Sequence, residues 1–509
     1  MRLPLIAFIL SLCAAPATQA IETAALERGA AITDPATLRE LDGGRFRLDR
    51  MLLPDRSADV PLSNGELFAL PSMAPVGQAI DGEFERYVAR HKASLPKETV
   101  GVGEAFDFQL FDRTLLYSPQ TRFVLVGIVN RMDRTYVSAA DCGEIRLIYR
   151  LTRVNMPEAD DNAASSRLPM TLNLVLKAKG DRRPGRDGAT ITCSGIANRW
   201  LASGAPSNEK LQAKDGPLEL LGHENIDRIE TNLQIAHAPK SAVRDFRTDY
   251  LLKVFRYDRQ TRIFAEAPME NQIDRARILA DDGLKREFRA WLLDPVNLAE
   301  FDRGTVLIPE KYLANGAVAS TPAGFDPSDL QPEFGLVQGE GAFSEADVVA
   351  ALKKAAASGV KLQNIRSLGG FERRLNDVTC SGCHQTRGIG GFHFPGVDWI
   401  AAKPSNATAV SASPHFFGDQ IRRRDILTAL RDGKPPDYSR GFASRPQLRG
   451  STELAGTGYY DGWGAHCYVP GKPAANNDGS FRDWTCAEGL ACQAAGKTSR
   501  MGMCFVKSR

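Results

Sequence analysis

Residues 122–152 read RFVLVGIVNRMDRTYVSAADCGEIRLIYRLT, and the fold class turns on them. Arg122–Val129 and Glu144–Thr152 are short runs rich in Val, Ile, Leu, Phe and Tyr, divided by a polar passage. β-Branched and aromatic side chains suit a pleated, half-buried surface, and apolar residues here recur with a period near two. Ala105–Phe111, Pro169–Leu176 and Asp249–Tyr257 repeat that pattern between turn residues. The expectation over 105–321 is therefore a β-rich domain with an antiparallel sheet or sandwich. Gly180–Gly188, with three arginines among its glycines and aspartates, reads as a solvated loop tip rather than a phosphate site.

Flanking regions change character. Residues 21–104 mix turn signals with helical ones: Asp34-Pro35-Ala36 opens a helix through Leu41, because proline suits the first helical position, and Asp81–Ala93 is amphipathic. Pro322–Gln338 is rich in Gly, Pro and Asp, so 322–343 reads as a linker. Beyond it Ser344 caps a helix over Glu345–Ser358, Asp347 stands at its third position and Gly359 ends it. A second helix runs from about Gln420 to Arg431 behind Asp419 and ends at Gly433. The chain thus predicts an α+β multidomain protein.

The chain has 509 residues, 64 Lys+Arg and 61 Asp+Glu, a balance that argues against a polybasic nucleic-acid binder. No apolar run has the roughly 18–20 residues of a transmembrane helix. Met1–Ala20 has a basic start, an apolar stretch over Leu3–Ala15 and small residues at its end, the pattern of a secretory signal cleaved after Ala20. Periplasmic or secreted localisation follows. Cleavage removes Cys13 and leaves eight of the nine cysteines in an oxidising compartment. Cys142 and Cys193, alone in the β-rich region, are expected to pair.

Cys380-Ser381-Gly382-Cys383-His384 is a CxxCH pattern, the spacing of covalent haem attachment. Two thiols three apart on one helical turn can add across the two vinyl groups of a porphyrin, and the following histidine lies under the iron. By composition alone such a motif has a chance of about 0.002. Two other readings of these residues stay open: a disulfide or thioredoxin-like pair between Cys380 and Cys383, or a zinc site made with His384 and His393. A thioredoxin-type motif wants a βαβ context, which this stretch lacks.

Asn376–Gln385 resembles the haem-attachment segment of c-type cytochromes, a likeness covering about 340–435. The order of Val129-Asn130-Arg131-Met132-Asp133, Cys142-Gly143-Glu144, the CxxCH, Gly391-Phe392-His393-Phe394 and a Cys-rich tail is similar to that of a group of large, exported bacterial proteins. The resemblance implies a haem-bearing periplasmic protein with a helical cytochrome c-like domain over 344–450. Cys380 and Cys383 would hold haem c, and His384 would be its proximal iron ligand. Small electron carriers supply a distal Met downstream, but here only Met501 and Met503 follow the motif. The distal candidates are therefore His393, then His415, and remotely His466.

Phe371, Phe392, Phe394, Trp399, Phe416 and Phe417 suit a haem pocket and equally an ordinary small core. Arg373, Arg374, Arg387 and the run Arg422–Arg424 can pair with haem propionates, although such a run more often lines a solvated helix face. Cys467, Cys486, Cys492 and Cys504 mark a disulfide-rich tail over 451–509 whose core is too thin to hold without crosslinks. Four cysteines allow three connectivities; the resemblance of Cys-Ala-Glu-Gly-Leu-Ala-Cys to small two-disulfide modules implies 467–492 and 486–504. No HExxH, Walker loop, complete GxGxxG or GxSxG is present. The expected function is haem binding and electron transfer to a redox partner protein or a small oxidant. The alternatives are a non-catalytic surface binding protein in which Cys380–Cys383 is structural, and a zinc-dependent hydrolase.

Overall fold

The computed structural model describes residues 31–32, 34–56, 59–138, 141–154, 167–178, 191–202, 207–238, 247–321, 341–380, 420–441, 466–468, 490–494 and 501–506. Ten strands form one sheet: β1 (Ala31–Ile32), β2 (Val100–Gly101), β3 (Phe108–Leu110), β4 (Thr121–Arg131), β5 (Glu144–Arg153), β6 (Arg167–Lys177), β7 (Ile226–Ala238), β8 (Arg247–Asp258), β9 (Ile263–Ala267) and β10 (Gly316–Thr321). From β4 to β8 each strand pairs antiparallel with the next. β9 and β10 share the far edge of β8, and the only parallel pairing among these strands is β2 with β3. The antiparallel sheet expected from 122–152 is present, and with the helices it makes the chain α+β.

Alternation sorts the side chains onto two faces. Ile145, Leu147, Tyr149 and Leu151 of β5 join Leu168, Met170, Leu172, Leu174 and Leu176 of β6 in the main core. Helices Pro35–Gly43, Asn64–Ala69, Ala74–Ser94 and Cys193–Ala202 supply Leu38, Phe68, Phe84 and Trp200 to the same core. Burying each such large apolar side chain is worth about 1.5–3 kcal/mol. The other face is buried yet polar: Glu144, Arg146, Arg150 and Thr152 on β5 lie beside Thr171 and Asn173 on β6. That second face explains why β7 escapes a reading by periodicity. Its sequence IDRIETNLQIAHA interleaves charged and apolar residues because both faces are covered.

A second core is helical. Helices Arg275–Ala280, Asp282–Leu292 and Pro295–Arg303 bury Ile278, Phe288 and Phe301 against Val348, Phe371 and Leu375 of Glu345–Ala357 and Leu368–Val378. Helices at 275–303 thus share a core with the expected 344–450 unit. Likewise the 35–94 helices close over the sheet, and β1 pairs with β4. Ser344 caps Glu345–Ala357 through a reciprocal box with Asp347, and Gly359 takes a φ of 79° after it, which glycine adopts without a Cβ penalty. The expected helix Asp81–Ala93 starts earlier, at Ala74, where Pro75 occupies the first turn.

The Cys142–Cys193 disulfide is formed, with its Cα atoms 5.3 Å apart. It ties the start of β5 to helix Cys193–Ala202. Replacing both cysteines by serine should cost about 3–4 kcal/mol, the loop-closure value for a ring of this size. Urea unfolding measures it; an unchanged midpoint would refute the estimate. In the tail β11 (His466–Tyr468), β12 (Leu490–Ala494) and β13 (Met501–Val506) form a small antiparallel sheet in the order β11-β13-β12, with Cys492 opposite Cys504. Cys492 is disulfide-bonded. Among the described residues no helix is long and apolar enough to cross a membrane.

Candidate functional site

Of the haem motif, Cys380 is described, whereas Cys383, His384, His393 and His415 lie outside the described residues, as do Met1–Ala20, Cys486, Arg387, Phe392, Phe394, Trp399, Phe416 and Phe417. Helix Leu368–Val378 delivers Cys380. Ser367 caps it by accepting from the Gly370 amide at 3.1 Å, and Phe371, Leu375 and Val378 form its buried stripe. Arg374, fully buried, donates to the carbonyls of Asp302 (2.7 Å) and Arg440 (2.9 Å), and burial pushes its pKa down to about 10. It therefore locks the helix to its neighbours through backbone carbonyls, at a place where pairing with a propionate was one expectation. Past the helix, Cys380 is buried among Leu252, Val254, Met269, Ala317 and Ala319, and its Sγ lies 3.4 Å from the carbonyl oxygen of Glu270.

Cys380 borders a cleft of about 410 Å³ whose walls carry Arg134, Glu144, Arg146, Arg228, Glu230 and Glu270. β5 places Glu144 and Arg146, and β7 places Arg228 and Glu230, on the second face, while Arg134 comes from the 3-10 turn Met132–Val137 and Glu270 from the loop after β9. Arg146 bonds Glu144 and Glu230, each at 3.0 Å, and Arg228 bonds Glu144 at 2.9 Å and Glu230 at 2.8 Å. The four charges close a ring. Arg134 extends it, pairing with Glu144 at 3.3 Å and more tightly with Glu270. Burial alone would raise the pKa of Glu144, but Arg134, Arg228 and Arg146 overcome it and hold the carboxyl well below its usual range. Gly143 is obligatory at the turn into β5: its φ is 83°, and a Cβ there would meet the Arg131 carbonyl and Met132 Cα at 2.7 Å.

A second charge cluster stands at the end of β4. Asp133, with a fully buried side chain, pairs with Arg131 (2.8 Å), Arg422 (2.8 Å) and Arg440 (2.7 Å). Burial opposes ionisation here too, and Arg131, Arg423, Arg422 and Arg440 together hold Asp133 well below the carboxylate range. Asn130 accepts from the Met132 amide at 2.8 Å and shapes the turn. In helix Gln420–Arg431 only Arg424 of the arginine run is exposed; Arg423 is buried and Arg422 is spent on Asp133. The solvated-face reading of that run is thereby corrected.

The fold packs the neighbouring stretches Asn130–Asp133 and Cys142–Glu144 together at Gly143 and brings the distant Cys380 to the same cleft as Gly143 and Glu144. Arg146, Arg228, Glu230 and Glu270 are site residues that sequence reasoning missed. Their one signal was charge at alternate positions of a strand, which normally marks solvent. A covalently held haem can be tested against buried polar atoms that lack a partner. Among the described residues Glu270 Oε1 and Asn271 Oδ1, both on the cleft wall, have no hydrogen-bond partner, and neither do Thr171 Oγ1 or the Asn173 amide on β6. Since buried polar groups are nearly always satisfied, the two acceptors on the cleft wall, Glu270 Oε1 and Asn271 Oδ1, fit a group that brings a hydrogen-bond donor and do not fit a propionate, while Thr171 and Asn173 do not line the cleft. Comparison with protein-family models, curated proteins and solved structures finds no match to this chain.

Proposed function

We propose that the protein is an exported, single-haem c-type cytochrome-like protein that binds haem covalently and transfers electrons. The observation that carries this reading is Cys380-Ser381-Gly382-Cys383-His384, with Cys380 buried directly after a helix and on the wall of a cleft. In this reading Cys380 and Cys383 hold the porphyrin, His384 is the proximal ligand, and His393, ahead of His415, is the distal one. Haem c would supply a one-electron iron couple. The chain's residues would hold it and limit water: Cys380 is seated among apolar side chains, and the Glu144 ring would supply a fixed charged wall at low reorganisation cost. The electron partner is a redox protein or a small oxidant. The 344–450 region is the cytochrome c-like unit, and the tail carries the pairs 467–492 and 486–504.

Expression of the full chain with haem-maturation machinery should give a red protein whose haem stain survives denaturing electrophoresis. Cys383→Ala should lose all covalent haem. Intact mass would then show one haem and three disulfides. A colourless wild type with four disulfides would establish the structural reading of Cys380–Cys383 instead.

A further inference from the structure

We propose that the cleft beside Cys380 binds a small molecule that carries a primary ammonium group on an apolar body, with Glu270 and Asn271 as its anchors. The inference goes beyond the haem reading and does not depend on it, because both anchors belong to the loop after β9. The cleft has room: it holds about 410 Å³, within the roughly 300–1,000 Å³ of small-molecule sites. Glu270 and Asn271 are both half-buried, so the opening reaches them from solvent.

The other carboxylates of the wall are already paired. Glu144 and Glu230 are closed into the ring with Arg146 and Arg228, and Asp141 and Asp227 pair with Lys177 at 3.1 and 3.5 Å. Glu270 differs. Its Oε2 goes to Arg134, but Oε1 has no hydrogen-bond partner among the described residues, and neither has Oδ1 of the adjacent Asn271. Burial opposes ionisation of Glu270, and Arg134 overcomes it and holds the carboxyl below its usual range. Its oxygens can therefore only accept.

That chemistry selects the ligand. Two acceptors on adjacent residues call for donors, which excludes a carboxylate or a phosphate. One of them is charged, and a hydrogen bond to a charged group is roughly twice as strong as a neutral one. A primary ammonium has three donors, a positive charge and no acceptor, so one group can serve both oxygens. The wall carries five acidic and five basic side chains. It therefore neither draws nor repels a cation at long range, and selection falls to these two oxygens. Val137, Val254, Pro268 and Val378 line other parts of the cleft, which suits an apolar body better than a polyamine.

The test uses the full chain and isothermal titration calorimetry with 2-phenylethylamine, 2-phenylethanol and 3-phenylpropionate, three probes that share a body and differ in the polar head. The amine should bind with a dissociation constant of about 1 mM or tighter. The alcohol should bind about tenfold more weakly, and the carboxylate should not bind. Glu270→Gln should weaken the amine about tenfold, since it removes the charge from one hydrogen bond. Asn271 has a φ of 66°, a conformation that Asp also tolerates. Asn271→Asp should therefore keep the backbone, add a second negative charge and tighten the amine several-fold, and it stands in where Glu270→Gln does not fold. An alcohol or carboxylate that binds as well as the amine would overturn the proposal. So would an amine affinity that a folded Glu270→Gln leaves unchanged or a folded Asn271→Asp does not raise, and so would an amine that does not bind. The haem stain, read on the same chain, separates failure of this inference from failure of the haem reading.

Discussion

Asp133→Ala should lower the free energy of unfolding by about 3–5 kcal/mol, because it strips the counter-ion from a buried cluster of guanidiniums. Arg131, Arg422 and Arg440 all converge on this carboxylate, whose side chain is 0% exposed. Two of the three come from 420–441, so the substitution also loosens the attachment of helix Gln420–Arg431 to the sheet. The pair itself need not be a net stabiliser, since burying charge costs nearly what the attraction returns. The damage comes from the excess positive charge that the cluster then carries. Urea unfolding should show the loss, and limited proteolysis should cut near 420–441 first. A cost under about 1 kcal/mol, the range of exposed pairs, would sink this account.

Acid should erase the difference. Asp133 is held well below the usual carboxylate range in the folded chain, and in the unfolded chain it returns to about 3.9. Its contribution is therefore fully present above about pH 4 and is lost as pH falls toward the depressed folded value. Wild type should lose stability faster than Asp133→Ala below that point, and the two curves should converge. Parallel curves down to pH 3 would mean that Asp133 is not ionised in the folded protein.

How much of this was legible follows from which face each residue serves. The runs at 122–129, 144–152, 169–176 and 249–257 announced the sheet because their core-facing residues alternate. β7 was hidden because the second face also buries charge, so Arg228 and Glu230 interrupt the apolar alternation that marks the other strands. The Ser344–Asp347 box and Gly359 were readable as local chemistry, since capping needs no tertiary partner. Helix Leu368–Val378 was not, with Gly369, Gly370 and three buried polar or charged residues in its length; packing against Asp302 and Arg440 overrides its propensity. For the site, Cys380 was legible as a motif and Asn130–Asp133 only as a recognisable string. That Asp133 bolts the C-terminal helix and Glu144 centres a ring beside Cys380 depends on register across four strands, which no local pattern encodes.

Glu144→Ala should prove as costly as Asp133→Ala, about 3–5 kcal/mol, and for a more revealing reason. Among the described residues Glu144 is the one carboxylate that touches Arg134, Arg146 and Arg228 together. Without it Arg146 and Arg228 still share Glu230, and Arg134 keeps Glu270. The ring opens, and it does not vanish. The cost is therefore that of excess positive charge in a low-dielectric wall, and removing a cation should relieve it. Glu144→Ala/Arg228→Met should be more stable than the sum of the two single losses, by a coupling within the 0.5–3 kcal/mol seen for residues in one network. Glu144→Gln keeps the shape and removes only the charge, so it should fall between wild type and Glu144→Ala. If instead the single losses simply add, the three arginines do not act through Glu144, and the cleft wall beside Cys380 is held by packing alone.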